Sequence, residues 1–165
     1  MRWIRVLRHL LASPHITRRH FSAEVRAAIE GAIVEAEARH VGQIRFAIET
    51  ALPWRELMQD VTPRQRAVEV FAQLRVWDTH ANNGVLIYVL WADRAVEIIA
   101  DRGLRGRVPQ AEWDAVCRAV EADYRAGQFA AGSRTAIAGV ATLLGRHFPS
   151  ASADADELPN QPVLL

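Results

Sequence analysis

Lysine is missing from this chain: all 20 of its cationic side chains are arginines. That excludes Schiff-base chemistry, a lysine general base and the lysine of a phosphate-binding loop. Cysteine is nearly missing as well. The lone Cys117 cannot form an intramolecular disulfide, which fits a reducing compartment. Long hydrophobic runs are also lacking. The longest, Val85 to Ala92, is far short of the ~20 residues that a spanning helix needs. Charge of one sign is not in excess: the net charge of +1 gives no global field towards nucleic acid or acidic partners. The opening MRWIRVLRHLLASP is broken by Arg5, Arg8 and His9, so it makes a poor signal peptide. These absences lead us to expect a soluble, cytoplasmic protein.

Several chemical signatures fail too. No glycine-rich phosphate loop precedes a helix, and Gly103 with Gly106 makes no dinucleotide fingerprint. Cys117 has Asp123, not an arginine, six residues on, and the six histidines include no His-x-x-x-His or His-x-His pair, which gives a zinc site little support.

What is present suits one α/β domain. The chain has 165 residues, half of them hydrophobic. Residues 1–20 are expected to form an amphipathic helix and linker, with Trp3, Leu7 and Leu10 on one side. Five arginines and no acid precede residue 20, so this helix either docks on the domain or contacts a membrane surface peripherally through residues 1–12. Ser22 is an N-cap for a helix to about His40, with Val25, Ile29 and Ile33 as its stripe. Residues 43–49 alternate, with Ile44, Phe46 and Ile48 on one face and Gln43, Arg45, Ala47 and Glu49 on the other, as in a strand. Thr62-Pro63 with Gln65 forms a capping box, and the helix after it should turn Ala67, Val70, Phe71, Leu74 and Trp77 inward.

His80 to Gly84 reads as a turn, with Asn-Gly supplying positive φ. Residues 85–91 form a continuous apolar run, the pattern of a central strand buried on both faces. Asp93-Arg94 reverses the chain, and 95–100 returns as an antiparallel partner. Two helices follow, one from Pro109 to about Arg125 and one from Phe129 to His147; Cys117 lies on the apolar face of the first and is expected to be a packed thiol. The domain is thus expected to span 21–148, with 149–165 a small, polar, mobile tail. A helix between the first two strands permits a right-handed parallel crossover. The expected fold is a mixed central sheet, a parallel crossover plus an antiparallel hairpin, sandwiched between helices.

Strand counting brings one polar cluster together. Asn82 and Asn83 precede the central strand, Asp101 and Arg102 follow its antiparallel neighbour, and Asp78 ends the helix that feeds this edge. Their oxygens suit a hard cation, Ca²⁺ or Mg²⁺. The plainer alternative is turn chemistry and a surface Asp-Arg pair. Glu49, Asp93 and Arg94 mark the opposite edge, where open α/β sheets often bind ligands; hairpin-turn residues are the simpler explanation there.

At these residues the chain resembles the TPM domain family, which includes thylakoid acid phosphatase and soluble bacterial proteins without an anchor. The likeness is carried by Gly42 to Phe46, Asn83 to Val89, Asp93-Arg94, Ile98 to Gly103, and Val108-Pro109 followed by Trp113. His147-Phe148-Pro149 and Glu157-Leu158-Pro159 extend it, so that it covers about 20–160. The resemblance implies an α/β sandwich, a divalent-metal site at the Asn-Gly edge, acid phosphatase activity in some members and work beside membrane protein complexes. The chain departs from the family where many members place acids: it has Asn82 before Asn83-Gly84, and Arg105 and Gln110 after the third strand.

Two functions follow. One is an accessory or adaptor module that meets a protein or membrane-complex partner. The other is a metal-assisted phosphomonoester hydrolase, with Asp78, Asn82, Asn83 and Asp101 on the cation and Arg102 neutralising developing charge.

Overall fold

The computed structural model describes residues 2–149 and 156–165. Three helices open the chain: α1 (Arg2–Leu11), α2 (Pro14–His20) and α3 (Ala23–Glu37). Strand β1 (Gln43–Glu49), helices α4 (Trp54–Met58) and α5 (Pro63–Gln73), and strands β2 (Gly84–Leu90) and β3 (Ala95–Ala100) follow. The chain closes with α6 (Gln110–Arg125), α7 (Phe129–His147) and a short β4 (Val163–Leu164).

The strands form one sheet in the order β3-β2-β1-β4. β1 and β2 are parallel, with Ile44 opposite Val85, and β2 and β3 are antiparallel, with Val85 opposite Ala100. This is the mixed sheet that the sequence predicts. Helices cover both faces. Ile44, Phe46, Ile48, Val85, Ile87 and Val89 pack on one face with apolar side chains of α3, α6 and α7. Ala47, Leu86, Tyr88 and Leu90 pack on the other with Leu57, Ala67 and Val70 of α4 and α5 and Val6 of α1. Every residue of β2 is buried, as its unbroken apolar run requires.

Local signals place most helix ends. Thr62 and Gln65 form the reciprocal capping box at the start of α5, and Ser22 accepts a hydrogen bond from Val25 N. Three expectations are corrected. Trp77 does not point inward but is half exposed, because α5 ends at Gln73 and the chain turns through a left-handed Arg75 (φ 53°). The buried place goes to Val76. Positive φ falls on Asn82 (52°), not on Gly84. Gly84 is required for close approach instead: a Cβ there would lie 2.0 Å from Val76 O.

The third correction concerns the expected mobile tail. Residues 150–155 of that tail lie outside the described residues, but 156–165 are built into the fold. β4 extends the sheet alongside Ala47 and Ile48 of β1, and Leu158 is buried. Gln43 Oε1 accepts from Glu157 N (2.9 Å) and Leu158 N (3.1 Å). The Arg45 guanidinium donates to the carbonyls of Pro159 and Gln161. Gln43 and Arg45 on the polar face of β1 thus clasp backbone, and all seven residues of the strand are buried.

Candidate functional site

The parallel register sets the amino ends of β1 and β2 side by side, and the hairpin returns the carboxyl end of β3 to the same edge. Asp101 N donates to Gly84 O at 2.9 Å, so Asn83 and Asp101 flank adjacent strands there. Gly103 lets the loop close over them, since a Cβ there would meet Asn82 O at 2.4 Å.

Asn83 is buried and works as a latch. Its backbone N donates to Thr79 Oγ1 (3.0 Å), and Nδ2 donates to Val41 O (2.8 Å), tying the entries of β1 and β2 together. Its Oδ1 is also buried, and accepts no hydrogen bond from the described residues. Asp101 is similar. Oδ1 accepts from Arg102 N (2.7 Å) and caps the short 3-10 turn Arg102–Leu104, while buried Oδ2 accepts none from the described residues. One edge therefore carries two buried acceptor oxygens without donors, and such atoms are uncommon in folded proteins.

The other expected ligands are placed differently. Asn82 Oδ1 is occupied by Arg102 Nε at 2.7 Å, and its carbonyl by Gly103 N at 2.9 Å. Arg102 is exposed and held to Asn82. Asp78 is exposed, and no hydrogen bond or ion pair joins its carboxylate to Asn82, Asn83 or Asp101 among the described residues. No group of three or more His, Cys, Asp or Glu residues there is arranged to hold a metal ion. Beside Asp101 opens a cleft of about 470 Å³, lined in part by Arg64, Arg105 and Trp113. Arg64 is anchored there by Ile98 O (2.5 Å) and Glu97 (3.5 Å). The cleft thus sets two arginines, Arg64 and Arg105, beside the carboxylate of Asp101, with Arg64 already paired to Glu97.

At the opposite edge both carboxylates have cationic partners. Glu49 receives Arg66 through Nε and Nη2 (both 2.9 Å) and the Tyr88 hydroxyl at 2.5 Å. Burial, then the Glu49 charge, pushes the Tyr88 phenol well above its usual range, while hydrogen bonding to Glu49 raises Arg66. Asp93 receives Arg5 at 2.7 and 3.0 Å, and His9 Nε2 lies 3.1 Å away. Burial disfavours the charged Asp93, but hydrogen bonds from Arg5 and His9 outweigh it and hold the carboxyl below its usual range. Arg94 is exposed with φ 54°. Cys117 is half-buried, and burial, with Glu97 nearby, pushes its thiol up to about 12, far from a reactive thiolate.

Sequence reasoning missed Glu37. Its Oε1 accepts from Ile44 N at 2.7 Å, and burial pushes the carboxyl up to about 7. Nothing local marks it, because its burial comes from β1 and the C-terminal segment.

A four-stranded mixed sheet between two helical layers, with an Asn-Gly and Asp edge, defines the class: a three-layer α/β module. The chain belongs to the TPM domain family, whose sequence profile matches residues 17–143. Among solved structures it is similar to the BA42 protein of the psychrophilic bacterium Bizionia argentinensis. The two are 32% identical with a TM-score of 0.76, over 87% of this chain and 94% of that one. The N-terminal domain of a P. gingivalis protein shares the fold at 18% identity and TM-score 0.60, covering 79% of this chain and 82% of that one. The N-terminal domain of cg2496 from Corynebacterium glutamicum does so at 15% and 0.55, covering 81% and 80%. No curated protein matches the chain. Among the described residues no helix is long and apolar enough to cross a membrane.

Proposed function

We propose that this chain is a non-hydrolytic TPM module, an adaptor for a protein or membrane-complex partner, whose Asn83–Asp101 edge takes a weakly held divalent cation. The observation that carries the reading is the pair of donorless buried oxygens, Asn83 Oδ1 and Asp101 Oδ2. They suit Ca²⁺ or Mg²⁺, which prefer oxygen ligands. Ca²⁺ takes about 6–8 oxygens, so two protein donors are a small share of its shell, and only millimolar binding is expected. Asn82 joins only by releasing Arg102, and Asp78 only by moving in from solvent.

A second reading is the phosphomonoester hydrolase. The cleft beside Asp101 favours it, because Arg64 and Arg105 there suit a phosphate. A bound cation would polarise the phosphoryl oxygen and activate water. Asp101 would hold it, Asp78 would have to close in, and Arg102 would have to leave Asn82 to neutralise developing charge. That Asp101 is the one buried carboxylate among these expected ligands favours the adaptor.

One measurement tests the cation site common to both readings, and a second separates them. Millimolar Ca²⁺ should raise the melting temperature of the wild type by mass action. A phosphate monoester should not be hydrolysed above a heat-denatured control. Hydrolysis that disappears in Asp101→Asn would replace the adaptor with the enzyme.

A further inference from the structure

We infer that the outer face of α1, together with Trp54 of α4, is a docking surface for an anionic lipid bilayer. An amphipathic helix on a globular domain ordinarily turns its apolar stripe inward. α1 does the reverse. Val6 and His9, 9% and 4% exposed, face the domain, with Arg5 beside them. Trp3, at 84%, and Ile4, Leu7, Leu10 and Leu11 face out.

This orientation is locked by charge. Besides its three bonds to Asp93, the Arg5 guanidinium donates to Val61 O (2.7 Å) and Asp60 (3.2 Å). His9 Nδ1 accepts from Leu52 N at 3.0 Å. Rolling the helix to bury its leucines would leave the carboxylate of Asp93, 7% exposed, without Arg5 and His9. Stripping a buried charge of its partners is strongly unfavourable. The apolar stripe is therefore held outward by the fold itself.

The occupant is read from charge and length. Residues 1–23 contain five arginines and no acid, in a chain whose net charge is only +1. Arg5 is neutralised by Asp93 and Asp60, but Arg18, Arg19 and Arg8 (3.4 Å from Asp93) are exposed. An anionic bilayer meets both features, taking the leucines into its acyl boundary and the arginines among its headgroups. Trp3 and Trp54 suit the interfacial depth. With Val6 and Met58 they line an apolar cleft of about 440 Å³ in which a stretch of acyl chain can lie. A 10-residue helix is about 15 Å long, too short to span, so it lies in the surface plane. A second copy fits less well, since a symmetric contact would set one arginine-rich segment against the other.

The test is co-sedimentation of the full chain with vesicles of phosphatidylcholine alone, or mixed in equal parts with phosphatidylglycerol. Partition should be at least about tenfold stronger on the anionic vesicles and should fall steeply with salt. Leu7→Asp with Leu10→Asp should abolish it while leaving the melting temperature unchanged, because both side chains are exposed. Arg18→Gln with Arg19→Gln should weaken it by about fivefold per charge removed. Should the leucine variants unfold, quenching of wild-type tryptophan fluorescence by brominated acyl chains, reduced in Trp3→Phe, decides the matter. No partition, partition indifferent to lipid charge, or partition that survives the leucine changes would overturn the proposal. So would a concentration-dependent dimer that Leu7→Asp dissolves, which would assign the face to a second copy.

Discussion

The two ends of the sheet are built from similar residues and hold them in opposite states. At the carboxyl ends of β1 and β2, Glu49 and Asp93 are saturated by Arg66, Tyr88, Arg5 and His9. At the amino ends, Asn83 and Asp101 each keep one buried oxygen without a donor among the described residues. A saturated buried acid is a structural joint, whose loss should be felt as stability. A donorless buried acceptor already carries a desolvation cost that a ligand can relieve. Carboxylates alone therefore do not tell the two ends apart; donors do.

The largest effect should follow from breaking a joint. Glu49→Gln leaves Arg66 with only the half-exposed Glu69 (3.0 Å) as a charged partner and should cost about 3 kcal/mol of unfolding free energy, read by urea denaturation. Asp101→Asn should cost under about 1 kcal/mol, because Oδ1 keeps its bond to Arg102 N and the other oxygen has no donor to lose. Comparable losses in the two variants would erase the distinction between the ends.

Next in size is the C-terminal clasp. Leu158→Ala should cost about 2–3 kcal/mol as a buried truncation at the sheet edge, measured the same way. A change within about 0.5 kcal/mol would mean that 156–165 behave as a loose tail after all.

A smaller effect concerns pH. The Glu37 carboxyl is raised from 4.5 to about 7 by burial, so the folded chain holds that proton more tightly than the unfolded one. Its contribution is fully present below about pH 4.5 and is lost as pH rises through about 7. Glu37→Gln keeps an acceptor for Ile44 N and should flatten the fall in the urea midpoint between about pH 5 and 8. Parallel profiles for variant and wild type would place the titration elsewhere.

What the sequence made legible follows the range of the interactions. β1, β2, β3, the capping box of α5 and the extents of α6 and α7 are set by neighbours a few residues apart, and were readable. So was the approach of Asn83 to Asp101, because the Asp93-Arg94 reversal fixes the strand count. The clasp was not, since Gln43 and Arg45 meet partners more than a hundred residues away, and a polar strand face looks the same whether it meets water or backbone. The orientation of α1 was not legible either. Its amphipathic pattern was plain, but the face that docks is chosen by Asp93, 88 residues beyond Arg5. Asp78 was placed by helix counting, yet α5 stops at Gln73 and leaves it exposed.

The central claim is that the donorless oxygens at the amino end are a cation site and the saturated acids at the other end are not. Amide chemical shifts followed through a Ca²⁺ titration test it directly, because they report site and location together. The account expects millimolar Ca²⁺ to move Asn82, Asn83, Gly84 and Asp101, to leave Glu49 and Asp93 in place, and to lose its effect in Asp101→Asn. Movement centred on Glu49 and Asp93, or no movement at any concentration up to ten millimolar or so, would contradict it.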